Sequence, residues 1–121
     1  MRKTGIFIVL FISYITYSAW VYTDGTDTAS VMSLQEQAGK IIYQKNNCTS
    51  CHQLFGMGGF LGPELTTVIS DKNRGPIYAR TFLQYGGARM PNFHFSKEEV
   101  DDVIAFLQYV DQNASTYKNN K

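Results

Sequence analysis

Cys48 and Cys51 stand two residues apart, and His52 follows directly. In this order the three side chains can act on one group together. Each thiol can add across a porphyrin vinyl to form a thioether, and the adjacent imidazole can then take the iron from one side. Cys-x-x-Cys-His is accordingly the attachment signature of c-type heme. Other chemistries also use paired cysteines. A thioredoxin-like dithiol expects a surrounding βαβ pattern, which this sequence lacks. A closed zinc site takes four Cys or His ligands, and the chain offers Cys48, Cys51, His52 and His94. A structural disulfide is the remaining alternative. The expectation is one covalent heme c, held through Cys48 and Cys51, with His52 as its proximal metal ligand.

Iron held by a single imidazole needs a second axial group for fast electron transfer, whereas an open position binds small gases. Met57 is too close in sequence to His52 to reach the opposite face of a porphyrin. Met1 and Met32 precede the motif. Met90 lies beyond two expected helices, in the turn-rich stretch Gly86-Gly87-Ala88-Arg89-Met90-Pro91. A methionine there could simply fill a core gap, but its distance from the motif suits the second metal ligand. His94 is the rival and sits next to a helix start. A His/Met pair raises the reduction potential relative to His/His. The imidazole's other N–H also needs an acceptor, and a carbonyl in Gly62-Pro63 is well placed in sequence. Pro63 therefore joins the cofactor-binding residues and stiffens its loop.

Helices must position these groups. Ser33-Leu34-Gln35-Glu36 fits a capping box and opens a helix reaching Asn46-Asn47, with Leu34, Ala38, Ile41 and Ile42 on one face. After His52 the chain is rich in glycine up to Pro63. It reads as a loop packed against a flat cofactor, because Leu54, Phe55, Met57, Phe60 and Leu61 are costly to leave in water. Leu65 to Ile69 reads as a short helix. Gly75-Pro76 opens another that stops at Gly86-Gly87. Ser96-Lys97-Glu98-Glu99 is a second capping box, with Phe95 stapling onto Val100. Val100, Val103, Ile104, Leu107 and Val110 form that last helix's buried stripe. No strand is evident, so the fold class is all-α. A domain this small needs the porphyrin to complete its core.

The N-terminus is of a different kind. Arg2 and Lys3 precede Ile6–Tyr22, a run of 17 residues without a charge, which makes about 26 Å of helix and can cross a bilayer. Tyr14, Tyr17, Trp20 and Tyr22 gather toward its far end, as interfacial aromatics do. The two cations predict a cytoplasmic N-terminus and a domain on the outer face of the membrane. The run is longer than a usual signal-peptide core and no A-x-A site follows, so a retained single-pass anchor is expected over a cleaved leader. The organisation reads as anchor 1–22, tether 23–32, heme domain 33–112 and polar tail 113–121. A formal charge of +1 over 121 residues argues against a nucleic-acid partner.

Gly39, Tyr43, the heme motif, Gly62-Pro63, Met90-Pro91 and Ala105-Phe106-Leu107 resemble the class I cytochromes c. In that fold the first and last helices cross, and the resemblance implies that Gly39 meets Phe106. Asn46-Asn47-Cys48, Pro63-Glu64-Leu65, Met90-Pro91, Phe93-His94 and Asp101-Asp102 are more narrowly similar to the small cytochrome c subunit of bacterial nitric oxide reductase, a family that also begins with one membrane helix. That resemblance implies a subunit that catalyses nothing alone. It would take electrons from a soluble cytochrome c or blue-copper protein and pass them to a large polytopic catalytic subunit with b-type hemes, where two NO become N2O. A free membrane-tethered carrier for another oxidase or reductase is the alternative. A heme gas sensor is a third reading, and ligation by Met90 would argue against it.

Overall fold

The computed structural model describes residues 2–24 and 31–114. The polar tail expected at 113–121 and the tether at 23–32 therefore lie largely outside the described residues. The chain divides into two compact units, Met1–Val31 and Met32–Lys121.

The first unit is the helix α1, Arg2–Asp24. Its segment Lys3–Thr23 has 21 residues and a mean hydropathy of 1.7, and none of it is buried in the protein. At 1.5 Å per residue it spans about 32 Å, enough for a hydrocarbon core. A helix that is apolar all round and unburied is suited to lipid rather than to a protein core. The hydroxyls of Thr16 and Thr23 donate back to the carbonyls of Ile12 and Ala19, each at 2.8 Å, so they present no unsatisfied donor to an apolar medium.

The second unit is built on the helices α2 (Leu34–Lys45), α3 (Gly75–Tyr85) and α4 (Lys97–Gln112). Both expected capping boxes are formed. The Ser33 N–H donates to the Glu36 carboxylate at 2.6 Å, the Ser96 N–H to that of Glu99 at 2.8 Å, and each serine hydroxyl accepts in return. Pro76 sits in the first turn of α3, where its missing N–H is not needed. Gly86 closes that helix with a φ of 72°, a conformation that glycine adopts without strain.

The core lies where α2 crosses α4 and where α3 leans on α4. Gly39 and Tyr43 are the buried residues of α2. The Tyr43 and Phe106 rings are 5.4 Å apart and tilted by 53°. A Cβ on Gly39 would fall 1.9 Å from the Asp102 carbonyl oxygen and 2.9 Å from Phe106 Cβ. Only a hydrogen at position 39 permits this crossing, which is the contact that the resemblance implied. From α4, Val100, Val103, Ile104, Leu107 and Val110 are all buried. Phe95 packs against the same core from the turn before it.

The structure departs from the sequence expectations in four places. The face of α2 toward the core centres on Gly39 and Tyr43, so Leu34 and Ile41 point outward at 84% and 63% exposure. Close approach to α4 selected a different stripe from the one hydrophobicity marks. Instead of a helix over 65–69, the chain forms turns over 66–70. A two-residue antiparallel ladder pairs Gln53–Leu54 (β1) with Met57–Gly58 (β2), Gln53 opposite Gly58 and Leu54 opposite Met57. Finally, Phe55, Met57 and Phe60 are exposed, whereas Leu54 packs on the core.

Candidate heme-binding site

Asn47 turns the chain out of α2. Its φ of 51° is left-handed, which asparagine tolerates better than most residues. A single 3-10 turn, Cys48–Ser50, follows, and the His52 N–H donates to the Cys48 carbonyl at 2.9 Å. Both thiols and the imidazole are thereby gathered at one place.

The glycine-rich segment folds back on this motif. The Gly59 N–H donates to the Thr49 carbonyl at 2.9 Å, and the Gly62 N–H donates to that of Cys51 at 2.8 Å. A Cβ on Gly62 would lie 2.3 Å from His52 Cε1 and 2.5 Å from Nδ1, so the glycine lies flat against the imidazole. The glycines thus approach the motif's backbone and the histidine ring, and Gly62 also lines the cavity beside that ring.

Next to Gly62, the Pro63 carbonyl oxygen lies 2.8 Å from His52 Nδ1. A carbonyl can only accept, so this bond places the ring proton on Nδ1 and leaves the Nε2 lone pair available. A metal-binding histidine needs this tautomer, with its second nitrogen tied to a carbonyl.

Cys48, Cys51, His52, Pro63 and Met90 all line one cavity of about 470 Å³. Val68 and Leu83 supply apolar wall from the turns and from α3, and Leu107 does so from α4. Tyr78 and Phe82, with rings 4.7 Å apart, and Phe93 add aromatic surface to the lining. Met90 is held by the turn after α3, in which the Gly87 N–H donates to the Met90 carbonyl at 2.8 Å. Burial pushes the Cys48 thiol above its ordinary pKa, with a smaller upward push from Cys51.

These features fit a porphyrin. The cavity is mostly apolar and of ligand size, two thiols lie on its wall, and an imidazole with a free Nε2 and a thioether reach it from separate segments. His94 is exposed, does not line the cavity, and has its N–H bonded to the Asn92 side chain at 2.8 Å. Met57 is 71% exposed and also absent from the lining.

Sequence reasoning missed two supports of the site. Thr66 is fully buried; its hydroxyl accepts from the Phe55 N–H at 2.6 Å and donates to Glu64 Oε1 at 3.0 Å, tying the hairpin to the turns that follow. Asp111, buried at the end of α4, accepts from the Ser70 N–H at 2.7 Å. Neither threonine in a turn nor aspartate late in a helix carries a local signal for such a long-range bond.

Comparison with known proteins narrows the assignment. Residues 35–107 match the family described as cytochrome C oxidase, cbb3-type, subunit III. The C subunit of nitric oxide reductase from Paracoccus denitrificans is 33% identical over 117 residues, covering 85% of this chain and 77% of that protein. The protein of the same name from Halomonas halodenitrificans is 29% identical over 117 residues, covering 87% and 78% respectively. That from Stutzerimonas stutzeri is 28% identical over 113 residues. The Cys-x-x-Cys-His turn, the crossing of α2 on α4 and these relatives agree: the chain is an electron-transfer cytochrome c of the family that includes cbb3-type oxidase subunit III, and within it belongs with the C subunits of nitric oxide reductase.

Proposed function

We propose that this chain is a membrane-anchored cytochrome with one heme c, and that it serves as the electron-transfer subunit of a nitric oxide reductase complex. Cys48 and Cys51 hold the heme covalently, and His52 and Met90 are its axial ligands. The bound heme supplies a one-electron ferric/ferrous couple. The carrying observation is the His52–Pro63 hydrogen bond, which aims an unprotonated Nε2 into the cavity that Met90 also lines. Pro63 fixes the tautomer and Gly62 the ring plane. Met90 closes the second axial position, which favours electron transfer over gas binding.

In this reading α1 anchors the subunit with its N-terminus in the cytoplasm and the heme domain in the periplasm. Electrons come from a soluble cytochrome c or blue-copper protein. They pass to a large polytopic subunit with heme b, and reduction of NO takes place there, not on this chain. The cbb3-type family match supports a second reading, a tethered carrier serving a different terminal oxidase or reductase.

Two experiments test the assignment. The first is a pyridine hemochrome spectrum of the tagged chain purified from native membranes in mild detergent. Heme c together with heme b is expected, and NO turnover of that preparation is then measurable. Heme c alone, from an intact preparation, would instead support the tethered carrier. The second is Met90→Ala. It should abolish the sulfur-to-iron charge-transfer band of the ferric protein, and a wild type that already lacks this band would remove Met90 from the ligand set.

A further inference from the structure

The cavity wall carries a single formal charge. Among the described residues that line it, Arg89 is the one permanently ionised side chain, and the polar remainder is neutral, as with Asn46, Asn47 and Ser50. The two other arginines of the heme domain are engaged by acids. Arg74 donates from Nε and Nη2 to Asp71 Oδ2 at 2.8 and 2.6 Å, and Arg80 pairs with Asp101. Among the described residues Arg89 has no such acid. Its side chain is exposed, so it stands where the cavity meets solvent. Its backbone is fixed within the turn that the Gly87 N–H closes on the Met90 carbonyl.

A lone guanidinium at the mouth of an otherwise apolar and neutral cavity selects for a ligand with an anionic edge. Burying a carboxylate without a partner is costly, and a planar fork of N–H donors matches a carboxylate in two-pronged fashion. We infer that Arg89 is the carboxylate-binding residue of this site and pairs with a propionate of the heme. The inference rests on the heme reading above. Arg89 acts on the iron through that propionate and is thus a positioning residue. Its cation offsets an anion close to the iron. Without it, the uncompensated carboxylate favours the ferric state.

The test uses the full-length, heme-loaded chain in detergent, with Arg89→Gln, Arg89→Lys and, as control, Arg80→Gln. Resonance Raman reads the propionate bending modes, and spectroelectrochemistry reads the ferric/ferrous equilibrium. Arg89→Gln should shift the propionate modes. It should also move the equilibrium toward ferric by roughly threefold to tenfold, the scale of one partly screened charge removed at about 10 Å. Arg89→Lys keeps the charge and should restore most of the equilibrium, while lacking the fork that sets the modes. Arg80→Gln breaks a surface ion pair and should leave both readouts alone. Arg89→Gln that retains heme c with unchanged propionate modes overturns the inference and leaves the heme reading standing. A wild-type chain without heme c by pyridine hemochrome overturns both.

Discussion

Replacing Gly39 by alanine adds one methyl group at the crossing of α2 and α4. The new carbon would lie 1.9 Å from the Asp102 carbonyl oxygen and 2.5 Å from its carbonyl carbon. Comfortable non-bonded separation is about 3.5 Å, so the two helices would have to part by roughly 1.5 Å. Overpacking of this kind costs about 1–3 kcal/mol. The obstructing atoms belong to the backbone of a helix, so no side-chain rotation can relieve them, and the upper end, about 3 kcal/mol, applies. Against this, alanine gains about 1 kcal/mol over glycine in helix propensity. The net loss is about 2 kcal/mol. For a domain of this size, 1 kcal/mol moves the midpoint by about 4–8 °C, so a fall of about 8–16 °C is expected. Thermal unfolding of the full-length chain in detergent, followed by far-ultraviolet circular dichroism, measures it. A midpoint within about 3 °C of wild type, or roughly half a kcal/mol, would refute the claim that the crossing has no room for a side chain.

Gly62→Ala should tilt the His52 ring away from Pro63, because its Cβ would fall 2.3 Å from Cε1. The expected result is a displaced Soret maximum and a lower reduction potential, and identical spectra would count against the proposed role of Gly62. Among the described residues the buried Tyr43 hydroxyl has no hydrogen-bond partner, and burial raises its pKa far above the ordinary value. Tyr43→Phe should therefore leave stability unchanged or raise it by about 1 kcal/mol. A loss of that size in chemical denaturation would mean the hydroxyl is satisfied in the folded protein. Asp71 accepts from the Asn73 N–H at 2.8 Å and pairs with Arg74 at 2.6 Å, which together hold its carboxyl below the ordinary range. A depressed acid contributes stability that is complete above its unfolded pKa of about 3.9 and fades as pH falls through the folded value. Asp71→Asn should flatten the acid limb of midpoint against pH, and an unchanged limb would show that Asp71 contributes nothing to it.

The helices of the heme domain were legible because their ends are written locally. Ser33 with Glu36 and Ser96 with Glu99 need only four residues of context, and Gly75-Pro76 at the start of α3 needs two. The candidate site residues stand out for a related reason: Cys-x-x-Cys-His is a covalent pattern, and Met90 differs from the other methionines by position. What stayed hidden depended on surfaces meeting at long range. Leu34 and Ile41 look like core residues until Gly39 draws α4 to the neighbouring stripe. Leu65 to Ile69 has helical spacing, but the Gly75 N–H donates to the Val68 carbonyl at 3.1 Å and commits that backbone elsewhere. The sequence sets the glycines against a flat cofactor, and the contact of Gly62 with the imidazole itself depends on how the loop folds back.

The crossing of α2 on α4 also sets an order of events in folding. Gly39 and Asp102 lie at opposite ends of the heme domain, roughly sixty residues apart, and joining them costs about 3–4 kcal/mol of loop-closure entropy. Every residue that lines the cavity falls inside that loop or on α4, its closing helix. In a chain made from its N-terminus, α4 is the last helix to arrive. Until then the Cys48 and Cys51 thiols sit in an open segment. On the reading proposed above, that delay leaves both thiols accessible for addition to a porphyrin before the cavity closes around them.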